Sequence, residues 1–146
     1  QYMNGGLSDM GFAKLVGGKV QQNIESGMFT NTCALRVSHA LNASGANIPM
    51  ESGQTVSSSS KKWYYFRTPM LNKYLTKTYG KADIVTTNSM DLQAKKGIIF
   101  YDTGNFWSDA SGHFTLWNGS NPLGGNYTHD EYMKIPNIKV YLWITE

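Results

Sequence analysis

Cysteine is almost missing from this chain: Cys33 is the single one among 146 residues. No intrachain disulfide can form, and a thiolate metal site has no second cysteine to draw on. The thiol is therefore either an inert packing group or the reactive centre of the molecule. Charge is scarce as well. Only 16% of residues are charged, and 13 Lys and Arg against 10 Asp and Glu leave +3. So small and dispersed an excess does not mark a nucleic-acid partner, and pairs such as Lys61-Lys62 and Lys95-Lys96 read as solvated loop ends. It favours a polyanionic substrate only weakly. No apolar run approaches the ~20 residues needed to span a bilayer, and the N-terminus lacks the basic-then-apolar pattern of a signal peptide. The sequence begins at Gln1, which leaves its native start open, and export by a specialised machine is compatible with it. No internal repeat recurs.

What is present points to one domain over residues 1–146, since 40% hydrophobic residues can form a sizeable core at this length. Residues 11–24 carry apolar side chains at helical spacing interrupted by Gly17-Gly18, which reads as a short helix and a turn. Residues 32–44 form the clearest helix, with Ala34, Leu35, Val37, Ala40 and Leu41 as its apolar stripe and Gly45 as its stop. Asn31 or Thr32 serves as N-cap, which places Cys33 in the first turn. Ser57 to Ser60 reads as a flexible loop. Residues 63–67 are aromatic strand formers, and residues 68–79 are a helix with Pro69 in its first turn and Gly80 at its end. Strands follow at 97–101, 113–117 and 138–144, with Asn118-Gly119 as a turn. Helices first and strands afterwards describe an α+β domain with helices on one face of an antiparallel sheet.

A thiol attacks a carbonyl only as thiolate, so a catalytic cysteine needs its pKa brought down from about 8.5, and a helix N-terminus beside an imidazolium does this. Cys33 occupies the first of these settings. Taken alone, a single cysteine is more often a buried packing residue, so the candidate base decides. His39 lies about one and two-thirds turns further along the same helix and points to another face. His129 sits in a polar stretch preceded by turn formers. His113 opens a strand, with Thr115 and Trp117 on its face of the sheet and Phe114 and Leu116 on the other. A cysteine beginning a helix and a histidine on a strand far downstream follow the order of papain-like cysteine peptidases.

A third polar group should accept the second imidazole N–H, and Asn118, Asn126, His129 and Asp130 are the candidates. A carboxylate would also stabilise the imidazolium, which favours Asp130; one residue of register in the loop 119–128 exchanges it for His129. Trp107 and Trp117 either line a cleft or belong to the core. Two other classes compete: a binding module using the aromatic run Trp63 to Phe66, and a transferase that passes the same acyl group to an amine.

The blocks GGKVQQNI (17–24), FTNTCALRVSHALNASGANIP (29–49), KKGIIFY (95–101) and WSDASGHFTLWNGS (107–120) make the chain resemble the fourth family of type VI secretion amidase effectors. These belong to the NlpC-like, papain-related cysteine peptidases. The resemblance implies a nucleophile at Cys33 on a helix N-terminus packed against an antiparallel sheet that carries the base, His113. It implies no cofactor and no metal. The family's third residue is an aspartate shortly after the L-W-N-G motif, and SNPLGGNYTHDEYM has none at that near position, so Asp130 takes the role only across an insertion. The implied activity is hydrolysis of the D-glutamyl–meso-diaminopimelate bond of peptidoglycan stems in the periplasm of a neighbouring Gram-negative cell. A cognate immunity protein that plugs the active-site cleft is the implied partner, with neither nucleic acid nor membrane involved.

Overall fold

Two adjacent glycines shape the start of the fold. In the computed structural model, which describes residues 7–104, 106, 112–125 and 127–145, Gly17 at φ +71° ends α1 (Asp9–Val16) and begins α2 (Gly18–Glu25). The stretch expected as one short helix and a turn is therefore two helices. The neighbouring Gly18 has no room for a side chain, because a Cβ there would meet the Ser58 carbonyl carbon at 2.5 Å. The next helix, α3 (Cys33–Ala43), lies within one residue of the expected bounds at each end and buries Ala34, Leu35, Val37 and Leu41. Phe12, Val16, Val20, Ile24, Leu35 and Tyr64 form the core of this region.

β1 (Thr55–Ser57) and β2 (Trp63–Tyr65) pair antiparallel. The serine-rich stretch between them is a tight turn rather than a flexible loop. The Ser58 N–H donates to the Lys62 carbonyl at 2.9 Å, the Ser58 hydroxyl accepts the Lys62 N–H at 3.1 Å, and the Ser59 hydroxyl donates to the Val16 carbonyl at 3.0 Å. Small side chains let the backbone approach the end of α1, and their hydroxyls satisfy groups that would otherwise be orphaned. Tyr64 and Tyr65 are buried, and the Tyr65 N–H donates to the Ser38 hydroxyl at 3.0 Å. The middle of the aromatic run thus belongs to the core, with Trp63 and Phe66 half-buried at its ends, which weakens the support for a binding module built on it.

Residues 1–71 and 72–146 form two compact units. α4 (Thr68–Tyr79) begins in the first and ends in the second, with the bounds that Pro69 and Gly80 predict. The second unit contains a four-stranded antiparallel sheet of β3 (Ile84–Thr86), β4 (Gly97–Asp102), β5 (Gly112–Trp117) and β6 (Lys139–Ile144), in the order β3-β6-β4-β5. β4 is bonded on both sides, so Tyr101 stands opposite His113 on β5 and Val140 on β6. One face carries Ile99, Tyr101, Trp117, Val140 and Leu142, packed with Leu92, Tyr132, Ile135 and Ile138. The other carries Phe100 and Phe114, stacked at 4.4 Å. Below the first face lies α5 (His129–Met133). Its start is a capping box: the Thr128 hydroxyl accepts the Glu131 N–H at 3.2 Å, and the Glu131 carboxylate accepts the Thr128 N–H at 2.8 Å. Helices beside an antiparallel sheet bear out the α+β class. Among the described residues no helix is long and apolar enough to cross a membrane.

Gly97 sets how closely the two central strands approach, because a Cβ there would overlap the Trp143 carbonyl oxygen. Overpacking against backbone cannot be relieved by a rotamer change, so Gly97→Ala should cost about 3 kcal/mol and lower Tm by roughly 10 °C. Gly27→Ala, left-handed at φ +83° but in open space, should cost only about 1 kcal/mol. Thermal melts of the two variants check this, and equal losses would contradict it.

Candidate active site

Cys33 is the first residue of α3 and is buried. Thr32, at the N-cap position, makes no capping bond. Its hydroxyl instead donates to the Asp9 carboxylate at 2.9 Å and accepts from Arg36 Nε at 3.0 Å. The same Asp9 oxygen accepts from Arg36 Nη2 at 2.9 Å, and the guanidinium lies 4.9 Å from the centre of the Phe12 ring. With Thr32 so engaged, Asn31 does the capping: its Oδ1 accepts the Cys33 N–H at 3.0 Å. The N–H groups of Ala34 and Leu35 belong to a helix's first turn, where no intrahelical carbonyl serves them. The positive end of the α3 dipole is thus concentrated at the thiol-bearing residue.

His113 lies on β5 in the second unit and is 9% exposed. Its Nε2 is 3.0 Å from the Gly124 carbonyl oxygen. A carbonyl can only accept, so Nε2 carries the proton and, in the neutral ring, Nδ1 holds the lone pair. The ring lies nearly parallel to Tyr132, with centroids 5.5 Å apart and planes 7° from parallel. Tyr132 in turn stacks on Tyr101 at 4.1 Å. Burial pushes the imidazole below its ordinary 6.5, and the bond to Gly124 opposes that shift without cancelling it. A neutral imidazole with a fixed tautomer is what a general base requires.

Among the described residues the group bonded to His113 is therefore main chain, and neither Asp130 nor His129, the two groups expected there, is bonded to it. Asp130 stands exposed in the first turn of α5, with no hydrogen bond to His113 among the described residues. Its charge favours the protonated form of His129, against the stronger effect of burial. His129 is committed at both nitrogens, to the Tyr101 hydroxyl at 2.8 Å and to the Ser89 hydroxyl at 3.0 Å. Burial holds the Tyr101 phenol far above its ordinary value, so it stays protonated beside the ring. His129 ties β4, α5 and the 3-10 turn Ser89–Leu92 together. Asn118 uses its side-chain oxygen within its own turn, on the Ser120 and Asn121 N–H groups. His39 is a packing residue, 2.7 Å from the Tyr64 hydroxyl and edge-on to Phe12. Trp117 is core, donating to the Leu92 carbonyl at 3.0 Å. Asn126 and Trp107 lie outside the described residues. The groups that sequence reasoning missed are Gly124, Gly125 and Tyr132; the Gly-Gly pair was the only signal for the first two.

A one-cysteine α+β chain with a buried histidine in a fixed tautomer invites comparison with known hydrolases. The family of type VI secretion system (T6SS) amidase effector protein 4, Tae4, matches residues 29–143, a span that includes Cys33 and His113. The chain belongs to this family. Among solved structures, the Tae4 effector of Salmonella typhimurium in complex with the immunity protein Tai4 of Enterobacter cloacae is 34% identical, with a TM-score of 0.85 over 99% of this chain and 94% of that one. The Tae4–Tai4 complex of Salmonella Typhimurium gives 35% identity and 0.84 over 99% and 93%. The Tae4 effector of Enterobacter cloacae gives 34% and 0.83 over 99% and 91%. No curated protein matches the chain by sequence. The family expected from the motifs is thus borne out, and the chain is an amidase effector of type VI secretion.

Membership leaves the pH response to this chain's own residues. His39, His113 and His129 are all pushed below 6.5, in each case chiefly by burial. Above that value the rings are neutral whether folded or unfolded. As pH falls through the lowered folded values the unfolded chain takes up protons that the folded chain resists, so stability is present above 6.5 and lost on acidification. Tm should fall steadily between about pH 7.5 and about pH 5.5, a window above carboxylate titration. A flat or rising Tm there would contradict the burial of these rings.

Proposed function

We propose that the chain is a cysteine amidase, working as one catalytic domain over residues 1–146, that hydrolyses the bond between D-glutamate and meso-diaminopimelate in peptidoglycan peptide stems. In this reading Cys33 is the nucleophile and His113 the general base. The observation that carries it is the His113 tautomer: Nε2 is committed to the Gly124 carbonyl, which reserves Nδ1 for proton transfer. The single thiol of the chain, at the start of α3, is the nucleophile best suited to a neutral imidazole in an amidase.

The chemistry balances with these groups alone. Nδ1 of His113 takes the Cys33 thiol proton, and the thiolate adds to the amide carbonyl to give a tetrahedral oxyanion. First-turn N–H groups of α3 are suited to receive that oxyanion. Collapse breaks the C–N bond as the imidazolium returns its proton to the leaving amine, leaving a thioester on Cys33. Water then adds to the thioester with His113 again as base, releasing the carboxylate and restoring the thiol.

Delivery by type VI secretion into the periplasm of a neighbouring Gram-negative cell is part of this proposal, supported by membership of a type VI effector family. A cognate immunity protein that blocks the active site in the producing cell is proposed from the relatives whose solved structures are complexes with Tai4. Purified peptidoglycan with mass spectrometry of the released fragments tests the whole reading. The wild-type protein should release stems cut after D-glutamate, and Cys33→Ala should lose on the order of 10³-fold or more in rate. Full activity in Cys33→Ala would end the cysteine mechanism; fragments cut at a different bond would end the substrate assignment alone.

A further inference from the structure

Catalytic imidazoles are held by a side-chain carboxylate or amide in the arrangements that sequence reasoning anticipates. Among the described residues no such side chain is bonded to His113. The hydrogen bond goes from Nε2–H to the Gly124 carbonyl at 3.0 Å, and Asp130, His129 and Asn118 are accounted for elsewhere. We propose, resting on the reading of His113 as the base, that the Gly124 carbonyl is the third member of the catalytic set. Gly125 is the positioning residue that makes its place available.

Gly125 is what lets that carbonyl come so close. It sits at φ +108°, and a Cβ built on it would lie 2.5 Å from His113 Nε2, 2.6 Å from the Tyr132 hydroxyl oxygen and 3.0 Å from His113 Cε1. The first two are closer than real Cβ atoms come, so any L side chain would displace the imidazole, the Tyr132 ring or the loop that presents the carbonyl. Hydrogen in place of a side chain is what lets main chain come as close as a carboxylate would. Tyr132, lying parallel to the imidazole on its flat face, removes the easy escape by ring rotation. Ring plane and tautomer are then set by three neighbours, none of which carries a charge.

An uncharged acceptor differs from a carboxylate in a definite way. It fixes which nitrogen is protonated, yet it adds no full negative charge to favour the imidazolium. The pair therefore acts on orientation, and its removal should show in turnover rather than in substrate binding.

Gly119 provides a matched control. It shares the left-handed backbone, at φ +105°, but a Cβ there meets nothing closer than the Ala94 backbone at 3.6 Å. Gly119→Ala and Gly125→Ala thus carry similar backbone strain, and only the second touches the imidazole. The experiment compares kcat and KM of wild type, Gly125→Ala and Gly119→Ala on wall peptides. Alongside, long-range proton–nitrogen NMR reads the His113 tautomer in the Cys33→Ala background. Gly125→Ala should lose roughly 100-fold in kcat, the scale of a misplaced catalytic group, with KM within about threefold. Gly119→Ala should keep its kcat. Neutral His113 should be the Nε2–H tautomer, becoming a mixture in Gly125→Ala.

A folded Gly125→Ala with wild-type kcat would overturn the proposal, as would equal losses in both glycine variants. Should Gly125→Ala not fold, the tautomer in the unsubstituted loop decides: Nε2–H supports the proposal and Nδ1–H overturns it. His113→Ala with full activity would instead remove the underlying reading of the base, whatever the tautomer.

Discussion

An imidazole presents one defined nitrogen as its lone-pair site when the other is committed to an acceptor, and the second unit is arranged to make that commitment at His113. The central strand β4 presents Tyr101 opposite His113. Tyr101 supports Tyr132 by stacking, and Tyr132 lies against the imidazole. The capping box at Thr128 starts α5 and so fixes where Tyr132 emerges. His129, one residue into the same helix, is locked between Tyr101 and Ser89. Each of these contacts is worth about 1 kcal/mol or less on its own. Their joint effect is to leave the imidazole one orientation, with Gly124 as its acceptor.

The first unit solves a different problem, which is to begin a helix at a cysteine. Thr32 would ordinarily cap such a helix, but Asp9 and Arg36 hold its hydroxyl, so Asn31 reaches over to the Cys33 N–H. The Asp9–Arg36 ion pair has one half-exposed partner, with Asp9 at 50%, and such pairs contribute about 0–1 kcal/mol. Its importance is geometric: one carboxylate oxygen ties the start of α1 to the first turn of α3. The thiol-bearing residue is held by cross-links on both sides of it in sequence.

Much of this was readable from residue order because local chemistry was unambiguous. Pro69 and Gly80 bracket α4, and the apolar stripe with Gly45 brackets α3, so their bounds agree with the structure. β3 is three residues long and takes its place only through pairing with β6, a non-local contact with no sequence period to betray it. The serines of the β1–β2 turn looked loose by composition and are held by their own hydroxyls. α5 was legible in principle, since T-x-x-E at Thr128 to Glu131 is a capping-box pattern, but the Gly- and Asn-rich stretch before it reads as continuing loop. The acceptor for His113 was not legible at all. Side-chain reasoning looks for a carboxylate, and a main-chain carbonyl leaves no mark except the glycines that let it approach.

The central claim is that Cys33 and His113 act as one thiol–imidazole unit, and the lone cysteine makes this measurable without interference. The measurement is the rate of iodoacetamide labelling of Cys33 across about pH 6 to 7, where an ordinary thiol is almost wholly protonated, in wild type and in folded His113→Ala. The account predicts labelling in wild type far faster than in a free thiol peptide, and its collapse to the peptide rate or below once the imidazole is gone. Equal rates in the two proteins, or slow labelling in wild type, would contradict it.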